Sequence, residues 1–424
     1  MLKYKKIIWI FLLTIVLTGS GLWYYKPKLF QELVSAKKNF LQLSNNEILE
    51  DFDYLYTVLK SNSPLVCVAK RNGLNFDTKY KQYREKISRS NNNFEKITLI
   101  DEFSNLLPGH NGILLGDIDY WFKVYRCIPD RQTWAKILSN TLSVKNHRLY
   151  FNFKHQKNKL AKKNLSQGFV QNNNVIVQII EPNKIAYIKI KSFENKYIND
   201  VEEKIIFDFY KKIKNYKHLI IDITGNSGGS SDYVVKYLLP IFKEEYHISL
   251  IDLFKIGNHA APFIKEAFKE IHPINEFLKF NNLSLDKQQK LKIFYGINKT
   301  DIKDLTHYYC AILTIKPESQ FLLKCKKWLL IDEKVFSASE GFTTLCKEMK
   351  LATIVGKTSR GDGCSTDPAL IMLPNSKMIF RYSLGYGLNP DGTCSAEFGT
   401  VPDIKLSDDR EIPLETCLRV IKNL

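Results

Sequence analysis

From Asn45 to Leu59 the apolar residues Ile48, Leu49, Phe52, Leu55 and Leu59 return every three or four positions, with polar residues between them. That spacing lays one stripe along a helix and predicts a helix over 45–59. Phe94 to Leu107 reads the same way. Further along, the period changes. Ile185 to Ile190 alternates as a strand does. Two short runs, Lys-His-Leu-Ile-Ile-Asp-Ile at 217–223 and Trp-Leu-Leu-Ile-Asp at 328–332, are almost continuously apolar. Such runs make strands buried on both faces, as in a parallel sheet. Each leads into a helical pattern: Tyr233 to Phe242 after the first, and Phe342, Leu345, Cys346 and Met349 after the second. Strands alternating with helices predict an α/β fold, and the upstream helices a small helical N-terminal domain. The long interval 245–325 separates the two strand–helix units, with helical patches at Pro262–Ile271 and Leu285–Phe294, and suits a cap-like insertion. Residues 145–175, rich in Lys, Asn and Gln, read as exposed.

The chemistry gathers where the two strands turn into helices. In Val-Phe-Ser-Ala-Ser-Glu, 335–340, Ser337 stands at the start of the helix. The first helical turn has N–H groups without helical partners and attracts negative charge, so an oxyanion beside Ser337 would find donors, notably the N–H of Ala338. A serine here is equally suited to cap the helix. After the first strand comes Thr-Gly-Asn-Ser-Gly-Gly-Ser, 224–230. Its glycines let the backbone turn sharply and approach a ligand closely, and successive N–H groups can nest an anion. The lysine and spacing of a nucleotide-binding loop are missing, which makes nucleotide binding the lesser reading.

Taken in order, several short motifs resemble the tail-specific, or C-terminal processing, serine peptidases. They are Leu-Ile-Ile-Asp-Ile-Thr-Gly-Asn-Ser-Gly-Gly, Leu-Leu-Ile-Asp with Ser-Ala-Ser-Glu, and Ala-Thr-Ile-Val-Gly-Lys-Thr at 352–358. Met-Leu-Pro-Asn-Ser at 372–376, Asp391-Gly392 and Glu397-Phe-Gly-Thr-Val-Pro-Asp-Ile follow. The resemblance spans residues 184–404. It implies a crotonase/ClpP-like β/α spiral as catalytic domain over 184–410. A helical domain at 40–125 and a connecting region at 126–183 would precede it, with no recognisable PDZ domain.

That family has two catalytic styles. In one, a lysine deprotonates the serine; its position here holds Asp362, and Lys357 stands where glutamate is usual. The other, as in the tricorn core, uses histidine. Leu-Leu-Pro-Gly-His-Asn-Gly at 106–112 is similar to its Asp-Gly-His-Thr element, with Pro108 in place of the aspartate. The resemblance therefore implies Ser337 as nucleophile, His110 as general base and Glu397 as the orienting carboxylate. It implies an oxyanion hole from Gly228, Gly229 and Ala338. The expected activity is an exported serine endopeptidase acting on a peptide or protein through an acyl-enzyme, with no metal or organic cofactor. The alternative is an inactive relative that binds peptide or an apolar ligand in the same cleft.

Charge and cysteines narrow the partners. The net charge of +18 is spread along all 424 residues without a basic face interleaved with aromatics, so no nucleic-acid partner is expected. The eight cysteines form no C-x-x-C pair, and no His-x-x-x-His occurs, which leaves a zinc site unsupported. Cys346 falls on the apolar helix face, while Cys364 and Cys394, near the site loops, could form a bridge in an exported chain. Export itself is suggested by Met-Leu-Lys-Tyr-Lys-Lys followed by the apolar run Ile7–Leu17. Counted to Tyr25, the segment is long enough to anchor in a bilayer, so 1–25 is expected to be a signal peptide or a membrane anchor. The catalytic region would then lie in the cell envelope or be secreted. Oligomeric state is not legible.

Overall fold

The computed structural model of the protein describes residues 39–424 except 115–117, 162–173, 278, 280–284, 319 and 409. The expected signal or anchor at 1–25 lies outside the described residues. Among those described, no helix is long and apolar enough to cross a membrane.

Helix α1 (Asn45–Asn62) begins in a capping box: the Ser44 hydroxyl accepts from the Glu47 N–H, and the Glu47 carboxylate accepts from the Ser44 N–H. Its stripe Ile48, Leu49, Phe52, Leu55 and Leu59 is buried as the spacing requires. Helices α2 (Val66–Arg71), α3 (Phe76–Arg89) and α4 (Asn93–Ser104) pack with it around an aromatic centre. There Phe103 meets Phe52 and Phe76, each at 4.9 Å between ring centroids. Strand β1 (Gly112–Ile113) follows α4. Helix α5 (Thr141–Ala161) corrects the expectation of exposure over its described part, 145–154; residues 162–173 lie outside the described residues. Ser143, Asn146, His147 and Tyr150 are buried, and the His147 Nε2 accepts from the Ile379 N–H at 2.8 Å.

The parallel strands form where the apolar runs predicted them. The main sheet holds β2 (Val175–Glu181), β3 (Ile185–Ile190), β4 (His218–Asp222), β8 (Lys326–Ile331), β9 (Thr353–Gly356) and β13 (Ile404–Lys405), in the order β13-β9-β8-β4-β3-β2. All neighbours are parallel except β2, which pairs antiparallel with β3. Both faces are covered, which is why these runs are apolar throughout. One face packs Ile188, Leu219, Ile221, Leu329 and Ile331 against α6 (Asp200–Lys212) and α8 (Ala338–Glu348). The other packs Tyr187, Ile220, Trp328 and Leu330 against a C-terminal helix, α9 (Pro413–Lys422). The expected helix from Tyr233 to Phe242 is irregular instead: a turn of α, a π segment Val234–Leu238 and a 3-10 turn Leu239–Ile241. Pro240 lacks the N–H that a regular continuation needs.

In the interval 245–325 both expected helical patches form, as Ala261–Ala267 and α7 (Lys287–Gly296), but the frame that carries them is not the expected one. That frame is a sheet of β5 (Tyr246–Phe254), β6 (His272–Pro273) and β7 (His307–Ile315), joined by β12 (Tyr386–Gly387) in the order β12-β5-β7-β6. A third sheet, β1-β11-β10, pairs β1 with β11 (Ile379–Tyr382) and β11 with β10 (Ala369–Met372). It fixes the end of the N-terminal helices to the catalytic region.

Candidate active site

Strand β8 ends at Ile331, and a short turn delivers Ser337 immediately before α8. Its backbone lies at φ 59°, ψ −128°, outside the extended region of a helix cap, and its side chain makes no capping hydrogen bond. The capping reading is thereby set aside. Such a conformation costs a non-glycine residue about 1–3 kcal/mol and needs surrounding structure to hold it. Here the Ser337 N–H donates to the Gly361 carbonyl at 3.3 Å, and the Ser337 carbonyl accepts from the Gly341 N–H at 2.9 Å.

The glycine loop closes against this turn. Asp332, at the end of the serine strand, accepts from the Gly225 N–H at 2.9 Å. Asn226 is fully buried; its Nδ2 donates to the Ile190 carbonyl, and its Oδ1 accepts from the Gly228 N–H and the Ser339 hydroxyl. Gly228 (φ +100°) has to be glycine: a Cβ there would stand 2.8 Å from the Ser337 Cβ and 2.7 Å from the Phe336 carbonyl oxygen. Its N–H is committed to Asn226 at 2.9 Å and is not free to meet an oxyanion, which corrects one of the three expected donors. Among the described residues, the N–H groups of Gly229 and Ala338 have no hydrogen-bond partner.

His110 arrives from the other side. Strand β1 pairs Gly112 with Arg381 and Ile113 with Phe380, and the Ile113 N–H also donates to Asp101 at 2.8 Å. Strand β11 continues into Ser383, so the same pairing brings His110 to Ser383. The His110 N–H donates to the Ser383 hydroxyl oxygen at 2.7 Å and to Asp362 Oδ2 at 2.9 Å. The ring Nδ1 lies 2.5 Å from that same carboxylate oxygen, which also accepts from the Ser383 hydroxyl at 3.0 Å. Gly109 (φ +84°) makes room, since a Cβ would fall 2.7 Å from Asp362 Oδ2. Pro108, the departure from the usual motif, offers its carbonyl to the Asn111 side chain at 2.5 Å and so helps hold the loop. The imidazole packs against Phe336, the neighbour of Ser337, with ring centroids 4.4 Å apart.

Asp362 is buried, and burial alone would raise its pKa. The charge and hydrogen bond of His110, with those of Ser383 and the His110 N–H, outweigh that and hold it below its ordinary value. A carboxylate accepting from Nδ1–H fixes the imidazole tautomer with its lone pair on Nε2, the form a base needs.

Glu397 is elsewhere, a correction to the expected constellation. Its carboxylate forks onto the Arg71 guanidinium at 2.5 and 3.0 Å and accepts from Asn72 at 2.9 Å. Arg71 also pairs with buried Asp301, which in turn accepts from the Tyr386 hydroxyl. Two charge-assisted bonds from one guanidinium outbid a histidine for that carboxylate. The cluster joins α2, the 299–302 helix and the loop before β13. A Cys364–Cys394 bridge is not formed either; all eight cysteines are free thiols. The sequence marks Asp362 only as the residue in a lysine position, and Ser383 carries no signal there.

Two recesses lie near the Phe336–Ser337 turn, one lined by Ala338 and the other by Phe336. The first, of 360 Å³, runs along α8 and is largely apolar. The second, of 430 Å³, lies beside Pro108, Gly109, Phe336 and Arg360. The Arg360 guanidinium stacks on the Phe336 ring at 4.7 Å.

Comparison with known proteins bears on this arrangement. The family model described as peptidase family S41 matches residues 184–406. A crystal structure from Parabacteroides merdae ATCC 43184, assigned as a peptidase, superposes with a TM-score of 0.51 at 17% identity, over 88% of this chain and 96% of that one. Mature CPAF complexed with lactacystin superposes with a TM-score of 0.52 at 13% identity, over 89% of this chain and 97% of that one. At such identities the likeness is one of fold. No curated protein sequence matches the chain.

Proposed function

The chain belongs to peptidase family S41 and is a serine-type peptidase, and from that premise we propose that Ser337 is its nucleophile, His110 its general base and Asp362 the carboxylate that orients the base. The observation that carries this reading is the hydrogen bond from His110 Nδ1 to buried Asp362, beside a serine in a strained backbone at a helix start. His110 Nε2 takes the Ser337 proton as Oγ attacks the scissile carbonyl carbon. The oxyanion is received by the N–H groups of Ala338 and Gly229. Loss of one such donor typically lowers turnover by roughly 100- to 1000-fold. The tetrahedral intermediate then collapses, the C–N bond breaks and the amine leaves with the proton from His110. Water, deprotonated by His110, hydrolyses the acyl-enzyme and regenerates Ser337.

The test is covalent labelling by a fluorophosphonate, followed by intact mass. Native protein should take up one label, and Ser337→Ala, His110→Ala and Asp362→Asn should lose it or slow it by orders of magnitude. A well-folded native protein that takes none would overturn the reading in favour of a cleft that only binds.

We also propose that the catalytic region works outside the cytoplasm, on the strength of the basic start and the apolar run Ile7–Leu17. An alkaline phosphatase reporter fused after residue 45 should be active in the periplasm of a bacterial host; an inactive fusion would sink this part. The free thiols are no obstacle, because five of the eight are buried.

A further inference from the structure

The 360 Å³ cavity is bounded on one side by five successive residues of β5, His247 to Ile251. Alternate side chains of a strand point to opposite faces, so a cavity touching five in a row meets the strand at its edge. The inner edge of β5 is fully used, since β7 pairs with it from Tyr246 to Phe254. The outer edge is not. Strand β12 pairs only with Asp252 and Leu253, and the Leu388 N–H adds one bond to the Ile251 carbonyl. The chain then turns away, Asn389 bonding back to Thr393. In an antiparallel ladder successive residues direct their N–H and C=O to alternate edges. Because the Ile251 carbonyl faces out, Ser249 and His247 also face out. Among the described residues, neither has a backbone partner on that side.

The opposite wall is α8. The cavity touches it from Ala338, beside the nucleophile, to Met349, a length of about 16 Å at 1.5 Å per residue. The bare edge from Ile251 to His247 is about 13 Å long, room for roughly four extended residues. Gly363 and Cys364 line the end nearest Asp362, and Ile248, Ile293, Ile315 and Leu345 give the apolar walls. An apolar small molecule would fill the walls but leave the row of donors and acceptors unmatched. An extended peptide satisfies both.

We propose that β5 takes the substrate as an added strand along this edge, with alternate apolar side chains entering the cavity and the scissile bond at its Ala338 end. The inference rests on the catalytic reading above and adds to it a substrate class: unfolded segments with apolar residues at every second position on one side of the cut. Main-chain bonds supply affinity in such strand addition, and alternate pockets supply selectivity.

The test uses the bond that the wild-type protein cuts fastest in β-casein, remade as a quenched decapeptide and N-methylated at one backbone position at a time. On one side of the cut, methylation at alternate positions should lower kcat/KM about tenfold or more, with the intervening positions within threefold. A flat scan, or one without alternation, overturns the proposal. On the enzyme side, Ser249→Pro removes only an outward N–H, and should lower kcat/KM for the same peptide about tenfold. Ser249→Ala, which keeps that N–H, should not. Fluorophosphonate labelling of Ser337 should proceed equally in all three proteins. Equal kcat/KM for Ser249→Pro and wild type overturns the proposal while leaving the catalytic reading intact. A native protein that neither labels nor cleaves takes both down. If Ser249→Pro fails to fold, the peptide scan on the wild type still decides.

Discussion

One oxygen organises the candidate centre: Asp362 Oδ2 accepts from the His110 ring, the His110 backbone and the Ser383 hydroxyl. Asp362→Asn should therefore lower kcat by roughly 10³- to 10⁴-fold, because the amide favours the wrong imidazole tautomer. Glu397→Gln should leave the labelling rate within a few-fold and instead lower stability by about 1–3 kcal/mol, since it takes a charged partner from Arg71. Measuring both labelling and urea midpoints separates the two carboxylates. A second expectation concerns backbone strain. Ser337→Gly and Ser337→Ala should both be inactive, but the glycine variant should be more stable by about 1 kcal/mol, because glycine relaxes at positive φ. Ser337 and the His110 loop were legible in the sequence through short motifs of fixed order. Asp362 was not recognised as the partner. It reaches His110 only because its own backbone adopts φ 58° and because the loop after β11 arrives at the same point. Three segments far apart in sequence meet there, and no local pattern announces such a meeting.

Among the elements, the parallel strands were the most legible. Both of their faces are covered, so β4 and β8 are written as nearly unbroken apolar runs, and the structure places them side by side. Leu329→Ala should accordingly cost about 2–5 kcal/mol in denaturant unfolding, as expected for a large side chain removed from a packed interior. Strands β5 and β7 were missed for the converse reason. In β7 the outer end carries exposed apolar residues, Ile312 and Leu313, which break the alternation of a half-buried strand. In β5 the alternation is present but short, Tyr246-His247-Ile248-Ser249-Leu250, before the buried run from Ile251 to Phe254. Helix α5 was misread because its lysines and asparagines dominate the composition. Its buried face is carried by polar side chains such as Asn146, whose Nδ2 donates to the Ser376 carbonyl, and His147.

In the molecule as a whole, pH should act on stability through a carboxyl outside the proposed machinery. Asp252 is fully buried on β5; Oδ2 accepts from the Ser365 hydroxyl and the Thr366 N–H, while Oδ1 has no partner. Burial pushes its pKa from an ordinary 3.8 up to about 8. The folded protein thus keeps a proton that the unfolded chain has released. This contribution is fully present below about pH 4 and is lost as pH rises towards 8, at a rate of order 1 kcal/mol per pH unit. Urea midpoints at pH 5 and pH 8 should differ clearly for the wild type and much less for Asp252→Asn. The placing of His110 has a consequence of another kind, in time. It is separated from Ser383 by 273 residues, an interval that takes roughly 15–55 s to synthesise. Until Asp362 is made, 252 residues after His110, a nascent chain owns that histidine without the carboxylate that holds it. A hydrolase whose parts are spread so widely along the chain is silent while it is being made. Detachment of β1 from β11 would silence the proposed centre again, by withdrawing His110 from Asp362 and Ser383.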